Sequence, residues 1–152
     1  MSFFYKKCSI HIDVPVQAAW DFFIEPENIN LYHPDPVEQW DFDPKPVKLG
    51  YKWKNAEIAA GARWVFHNEV TTFQPLKNMT YSYTNDINGY HATLFEEERG
   101  GTLMTEIVEY DVPPHMMAKI DADALKVVAS EEADEILETI KAYLEKEHQS
   151  AR

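Results

Sequence analysis

The sequence has little of several features that mark particular protein classes. Cys8 is the single cysteine among 152 residues, so no internal disulfide can form and nothing indicates an oxidising compartment. Lys and Arg total 14 against 26 Asp and Glu, and the net charge of −12 repels phosphate backbones and anionic membranes. No stretch approaches the ~18 consecutive apolar residues of a membrane span, and no apolar signal segment opens the chain. We expect a cytoplasmic, soluble protein that binds no nucleic acid.

Motifs of common catalytic and metal sites are also missing. The chain contains no Gly-rich phosphate loop, no Gly-x-Ser-x-Gly elbow and no Cys-x-x-Cys pair. His67 and Glu69 would share one strand face, as metal ligands can, but the pattern turns that face to solvent and supplies no third ligand. We therefore expect no metal and no cofactor.

What the sequence does have is a large supply of aromatic and other apolar residues. It contains 4 Trp, 8 Tyr and 8 Phe, and 45% of its residues are hydrophobic, which is typical of a globular protein. A chain of 152 residues fits one ordinary domain with a substantial core. The sequence predicts a single domain over residues 1–152.

The hydrophobic pattern predicts strands first and a long helix last. A two-residue period over 4–14 indicates a strand, and Pro15 then begins a short helix that buries Trp20 and Phe23. A second helical turn begins at Pro26 and ends before the prolines at 34 and 36. Turn residues then divide the chain into strands near 37–43, 51–58, 63–73, 79–84, 90–97 and 102–111. Seven strands in an antiparallel meander are expected.

A long amphipathic helix is predicted after the prolines at 113 and 114. Apolar residues recur there at steps of three and four, and they are Leu125, Val128, Ala129, Ala133, Ile136, Ile140, Tyr143 and Leu144. Acidic residues, among them Glu131, Glu132 and Asp134, are interpreted as a solvated face. A break near Ser130 is possible, because Ser-Glu-Glu at 130–132 resembles a helix start.

These elements combine into an α+β fold in which a curved sheet must grip the long helix to bury its apolar stripe. Several segments resemble the superfamily of START domains, polyketide cyclases and the birch-pollen allergen, which has this helix-grip fold. They are Ser-Ile-His-Ile-Asp-Val-Pro at 9–15, Ala-Trp-Asp-Phe-Phe at 19–23, Glu-Pro-Glu-Asn-Ile at 25–29, Tyr-His-Pro at 32–34, Val-Lys-Leu-Gly at 47–50, Val-Thr-Thr-Phe-Gln-Pro at 70–75, Gly-Gly-Thr at 100–102 and Ile-Lys-Ala-Tyr-Leu-Glu at 140–145.

The resemblance covers residues 5–146 and implies a seven-stranded curved antiparallel sheet, two short helices after strand 1 and an internal ligand cavity. It does not imply one activity, because the superfamily includes lipid carriers, quinone-binding proteins, cyclases and oxygenases. The oxygenases hold iron with two His and one carboxylate, and no segment here matches that triad.

Strand pairing predicts which side chains line the cavity. Pairing across Arg99-Gly100 sets Phe95 opposite Met104 and Thr93 opposite Glu106, with His91 on the same face. The same logic turns one face of the two preceding strands inward. The predicted ligand-binding residues are Trp64, Phe66, Asn68, Tyr81, Tyr83, His91, Phe95, Met104, Glu106, Leu125 and Ala129. Core packing without a ligand remains the alternative for each, and Ala129 and Ala133 could either leave space or permit close packing.

His91 and Glu106 are the candidate catalytic residues. They would be diagonal neighbours in an apolar surround, and an imidazole beside a carboxylate is a pair that general acid–base catalysis uses. A structural hydrogen bond or a polar anchor for ligand are the alternatives. His33 is interpreted as a loop residue near the cavity mouth.

Three functions follow from these expectations. The first is a carrier or sensor that binds a small hydrophobic or amphipathic molecule, such as a lipid, isoprenoid, quinone or polyketide. The second is an enzyme of the cyclase or dehydratase type that uses acid–base residues of the cavity. The third is a protein-interaction module, which the sequence supports least because it shows no large exposed apolar stretch.

Overall fold

A single antiparallel sheet grips the last helix of the chain. The computed structural model describes residues 2–150; Met1, Ala151 and Arg152, at the ends of the predicted 1–152 domain, lie outside them. The strands are β1 (Ser2–Ile12), β2 (Glu38–Trp40), β3 (Lys52–Ala59), β4 (Ala62–Gln74), β5 (Asn78–Asn85), β6 (Asn88–Glu98) and β7 (Gly101–Val112). Their order in the sheet is β1-β7-β6-β5-β4-β3-β2, so the chain forms a meander and β1 closes it beside β7.

The helices lie at the two ends of the chain. They are α1 (Val16–Phe23), a 3₁₀ helix (Pro26–Leu31), α2 (Pro114–Met117) and α3 (Ala122–Ser150). The long C-terminal helix is continuous through Ser130, so the possible break there does not occur. No helix among residues 2–150 is long and apolar enough to cross a membrane.

The predicted strand over 37–43 is wrong in its length. The structure forms only Glu38–Trp40, because Asp41 has φ of 54°, outside the range of an extended strand. The prolines at 44 and 46 follow at once, and proline cannot donate to a strand ladder. The sheet therefore ends in a short edge strand on this side.

The β6–β7 hairpin has the predicted register. Arg99 and Gly100, with φ of 49° and 76°, form the tight turn, and Phe95 pairs with Met104 and Thr93 with Glu106. His91 pairs with Val108, two steps further along the same face. This register places His91 and Glu106 on the face of the sheet that meets α3.

Two apolar clusters fill the space between sheet and helices. One surrounds Trp20 of α1 and includes Phe95, Met104 and Ile140. The other surrounds Trp64 and includes Tyr83, Tyr110, Met116 and Leu125. The functional site described next takes side chains from both.

Candidate functional site

A cavity of about 170 Å³ lies between the inner face of the sheet and the first half of α3. Most of its lining is aromatic or aliphatic, including Phe23, Trp53, Trp64, Phe66, Tyr81, Tyr83, Val108, Leu125, Val128 and Ile136. Ala129 and Ala133 face it from the helix. Of the two alternatives for these alanines, the structure supports the one in which small side chains leave space against the sheet.

The structure places nine of the eleven predicted ligand-binding residues in the cavity lining. They are Trp64, Phe66, Asn68, Tyr81, Tyr83, His91, Glu106, Leu125 and Ala129. Phe95 and Met104 are on the predicted face but outside the lining. They pack in the cluster of Trp20, whose ring lies edge-on to Phe95 at 5.4 Å between centroids, because α1 covers that end of the sheet.

One wall of the cavity carries a line of three hydrogen-bonded side chains. The Tyr81 hydroxyl lies 2.9 Å from Nδ1 of His91, and Nε2 of His91 lies 3.0 Å from Oε2 of Glu106. Glu106 is 1% exposed, and its Oε1 has no partner among the described residues. When the Tyr81 hydroxyl donates a hydrogen bond to Nδ1, the imidazole carries its own proton on Nε2 and donates a hydrogen bond to Glu106.

A second polar point is a pair of buried amides on β3 and β4. Nδ2 of Asn68 donates to Oδ1 of Asn55 at 2.5 Å, while Oδ1 of Asn68 has no partner in the described part of the chain. Both side chains line the cavity, and Asn68 is 2% exposed. Burial of an unpaired acceptor is costly, which makes this atom a point where a ligand would gain a hydrogen bond.

His33 connects three elements at the rim of the cavity. It lies in the loop after the 3₁₀ helix, as predicted, and its Nε2 is 2.7 Å from Glu57 on β3 and 3.8 Å from Glu132 on α3. The imidazole is 5% exposed. This cluster fastens the loop to both the sheet and the helix beside the exposed side chain of Ile58.

Glu132 corrects the interpretation of the acidic helix face. The residue lines the cavity and is half-buried, because it occupies the same stripe as Val128 and Ile136, four residues on either side. Burial raises the pKa of Glu132; the nearby His33 lowers it, and Glu57 raises it further. Neighbouring Glu131 and Asp134 are exposed, as predicted.

The phenols in the cavity resist ionisation. Burial raises the pKa of Tyr32, Tyr81 and Tyr83, and negative charges add to it, mainly Glu106 and Glu57 at Tyr32 and Glu57 at Tyr83. These tyrosines are therefore neutral hydrogen-bonding groups at physiological pH. The same burial and the same carboxylates would disfavour a further negative charge placed among these tyrosines.

We predict that the His33–Glu57 pair makes stability depend on pH. Burial lowers the pKa of His33, but the hydrogen bond and charge of Glu57 outweigh it, so the net pKa is raised. A raised pKa stabilises the fold fully below about pH 6.5, and the contribution is lost as pH rises through the folded-state value.

The expected loss is roughly 1 kcal/mol of unfolding free energy as pH rises above neutrality, the size of a partly buried ion pair. Denaturant unfolding of wild type and His33→Gln across this range measures it. His67→Gln is the control, since His67 is exposed on the outer face. An equal slope in wild type and His33→Gln would contradict the assignment.

Sequence reasoning missed the contribution of β3 to the site. Trp53, Asn55 and Glu57 all line the cavity. Ala59 pairs with Ala62 across a two-residue turn, so Glu57 is opposite Trp64 and shares its face. The turn at Ala60-Gly61 was visible in the sequence, and the pairing argument used for β6 and β7 would have found these residues.

His67 and Glu69 face outward and are exposed, as predicted. Within residues 2–150, no group of three or more His, Cys, Asp or Glu side chains is placed to hold a metal ion.

Comparison with known proteins agrees with this architecture. Residues 7–145 match the family described as "Polyketide cyclase / dehydrase and lipid transport", and the chain belongs to that family. No curated protein matches the sequence significantly.

Solved structures with the same fold share little sequence with this chain. Protein NE0264 of Nitrosomonas europaea is 13% identical with a TM-score of 0.68 and 97% coverage of both chains. Protein TTHA0849 of Thermus thermophilus is 12% identical with a TM-score of 0.70, over 92% of this chain and 96% of that one. The di-domain ARO/CYC StfQ of the steffimycin biosynthetic pathway is 12% identical with a TM-score of 0.72, over 97% of this chain and 52% of that one. Similarity at these identities supports the fold.

Proposed function

We propose that the protein binds a compact, largely apolar molecule in the cavity under α3 and carries or senses it. The observation that carries this proposal is the lining itself: an apolar and aromatic surround with a few placed polar groups on one wall. Small-molecule sites have this composition. Membership of a family described by polyketide cyclase, dehydrase and lipid transport agrees with it.

The size of the cavity restricts the ligand. Its volume of about 170 Å³ is below the roughly 300–1,000 Å³ that is usual for ligand pockets. A molecule of one or two rings fits that space, whereas a long acyl chain would require α3 or the His33 loop to move. Among the ligand classes expected from the sequence, we therefore favour a compact ring-containing molecule over a diacyl lipid.

Two measurements test ligand binding while the ligand is still unidentified. Mass spectrometry of solvent extracts from the purified protein is expected to find a co-purifying small molecule. A library of compact hydrophobic compounds is expected to contain members that raise the Tm, because a ligand bound only to the folded state stabilises it. If the extract contains nothing and no compound shifts the Tm, the binding proposal fails.

Acid–base catalysis is the second candidate, and the Tyr81–His91–Glu106 line is the observation that favours it. The line ends at a buried carboxylate inside an apolar space, where a bound substrate could exchange a proton with it. A cyclase or dehydratase needs such a group together with a cavity that folds its substrate.

Recovery of the bound molecule after incubation separates the two candidates. A carrier returns it unaltered, whereas an enzyme returns a product. If product forms, His91→Ala and Glu106→Gln are expected to slow its formation by about 100-fold or more, the usual contribution of a general acid or base. Unchanged rates in both variants would remove His91 and Glu106 as catalytic residues.

A further inference from the structure

Two of the three unpaired polar atoms in the cavity lining are hydrogen-bond acceptors, and the third, the Tyr110 hydroxyl, can donate or accept. Oε1 of Glu106 and Oδ1 of Asn68 both lack a partner among the described residues, and their side chains are 1% and 2% exposed. A carboxylate oxygen and an amide carbonyl accept hydrogen bonds. The complementary ligand therefore carries donors, because a ligand with acceptors alone would leave both atoms unpaired.

The charged residues of the cavity are acidic. Glu57, Glu106 and Glu132 line it, whereas none of the described lining residues is Lys or Arg. His33 and His91 are its basic groups, and each is hydrogen-bonded to one of these carboxylates. A ligand carboxylate or phosphate would find no strong cation to pair with, and the burial of an unpaired charge is expensive.

The aromatic side chains of the cavity also favour a cationic ligand over an anionic one. The rings of Trp53 and Tyr81 meet edge to face at 5.2 Å between centroids, and Tyr83 lies 6.2 Å from Tyr81. Aromatic faces grouped around a cavity attract ammonium groups through the negative face of each ring. Burial, followed by the charges of Glu106 and Glu57, raises the pKa of Tyr32, which agrees with these observations.

We propose that the cavity selects a compact apolar molecule that bears an amine, whose ammonium donates to Oε1 of Glu106 while His91 holds Oε2. Asn68 remains available to a second donor on the ligand. This inference rests on the proposed binding function and narrows its ligand class. Carboxylates of the same size are rejected.

A matched series of probes tests the proposal on the wild-type protein. Naphthylmethylamine, naphthylmethanol, methylnaphthalene and naphthoate share one ring system and differ in the attached group. Isothermal titration near pH 7 is expected to rank the amine tightest and naphthoate weakest, with about tenfold or more between those two. If naphthoate binds as tightly as the amine, the amine proposal is overturned while the binding function stands.

Failure of all four probes, including neutral methylnaphthalene, would instead count against the binding function.

Variants then test whether Glu106 is the residue that recognises the charge of the amine. Glu106→Gln is expected to weaken the amine about tenfold, as for loss of one charge-assisted hydrogen bond, and to change naphthylmethanol by less than about threefold.

Glu96→Gln is the matched control, because Glu96 is exposed on the same hairpin and lies outside the lining. An equal loss for the amine and the alcohol in Glu106→Gln would contradict recognition of charge at this residue. The wild-type ranking remains a test even if Glu106→Gln does not fold.

Discussion

Ala129→Phe is expected to abolish ligand binding while the protein stays folded. Ala129 faces the cavity from α3, and a phenyl ring at this position projects into a space of about 170 Å³. We expect affinity for any cavity ligand to fall by more than about 100-fold, or roughly 2.7 kcal/mol. Filling an existing cavity is also expected to leave the Tm unchanged or to raise it.

Val127→Phe is the control for this variant, because Val127 is two residues away on the same helix and is 57% exposed. Titration of both variants with one compound that shifts the wild-type Tm measures the effect. Retained affinity in a folded Ala129→Phe protein would mean that the ligand binds elsewhere. Ala133→Leu is a second filling variant, since Ala133 also lines the cavity.

Gly89→Ala is expected to cause the largest loss of stability. A Cβ built at Gly89 overlaps the carbonyl oxygen of Glu109 and lies 2.8 Å from Cα of Tyr110, and both atoms belong to the backbone of β7. The same carbonyl accepts a hydrogen bond from the Tyr83 hydroxyl at 3.1 Å. Relief of the overlap therefore requires β6 and β7 to separate next to the cavity.

We expect the free energy of unfolding to fall by about 3 kcal/mol in Gly89→Ala. Gly61→Ala is the control: its Cβ meets open space, and its φ of 76° alone predicts a loss of about 1 kcal/mol. Denaturant unfolding of both variants gives the comparison. Equal losses would show that close approach of the strands is unimportant at Gly89.

The order of the strands and helices could be predicted from the sequence because the turn residues that separate them are recognisable within short stretches of the chain. The tight turn at Arg99 and Gly100 also fixed the β6–β7 register, and with it the face occupied by His91 and Glu106. The two-residue period of a strand indicates which face of the sheet a residue occupies, but it does not indicate which element packs on that face. Phe95 and Met104 consequently lie on the predicted face but under α1, beside the cavity.

Glu132 shows the limit of a composition argument. A run of acidic residues indicates a solvated helix face, yet α3 rotates by about 100° per residue, so one member of the run necessarily falls near the apolar stripe. Its spacing from Val128 and Ile136 carried that information. Its approach to His33 depends on the path of the loop after the 3₁₀ helix, which no local pattern predicts.

Amide chemical-shift mapping by NMR tests the central claim most directly, with naphthylmethanol as an uncharged probe. We predict that the shifts concentrate at cavity residues of β5, β6, β7 and α3, including Tyr81, His91, Glu106 and Ala133. They should disappear in Ala129→Phe and persist in Val127→Phe. Shifts centred instead on the groove of the outer sheet face, around Phe3, Thr80 and Tyr90, would contradict the account.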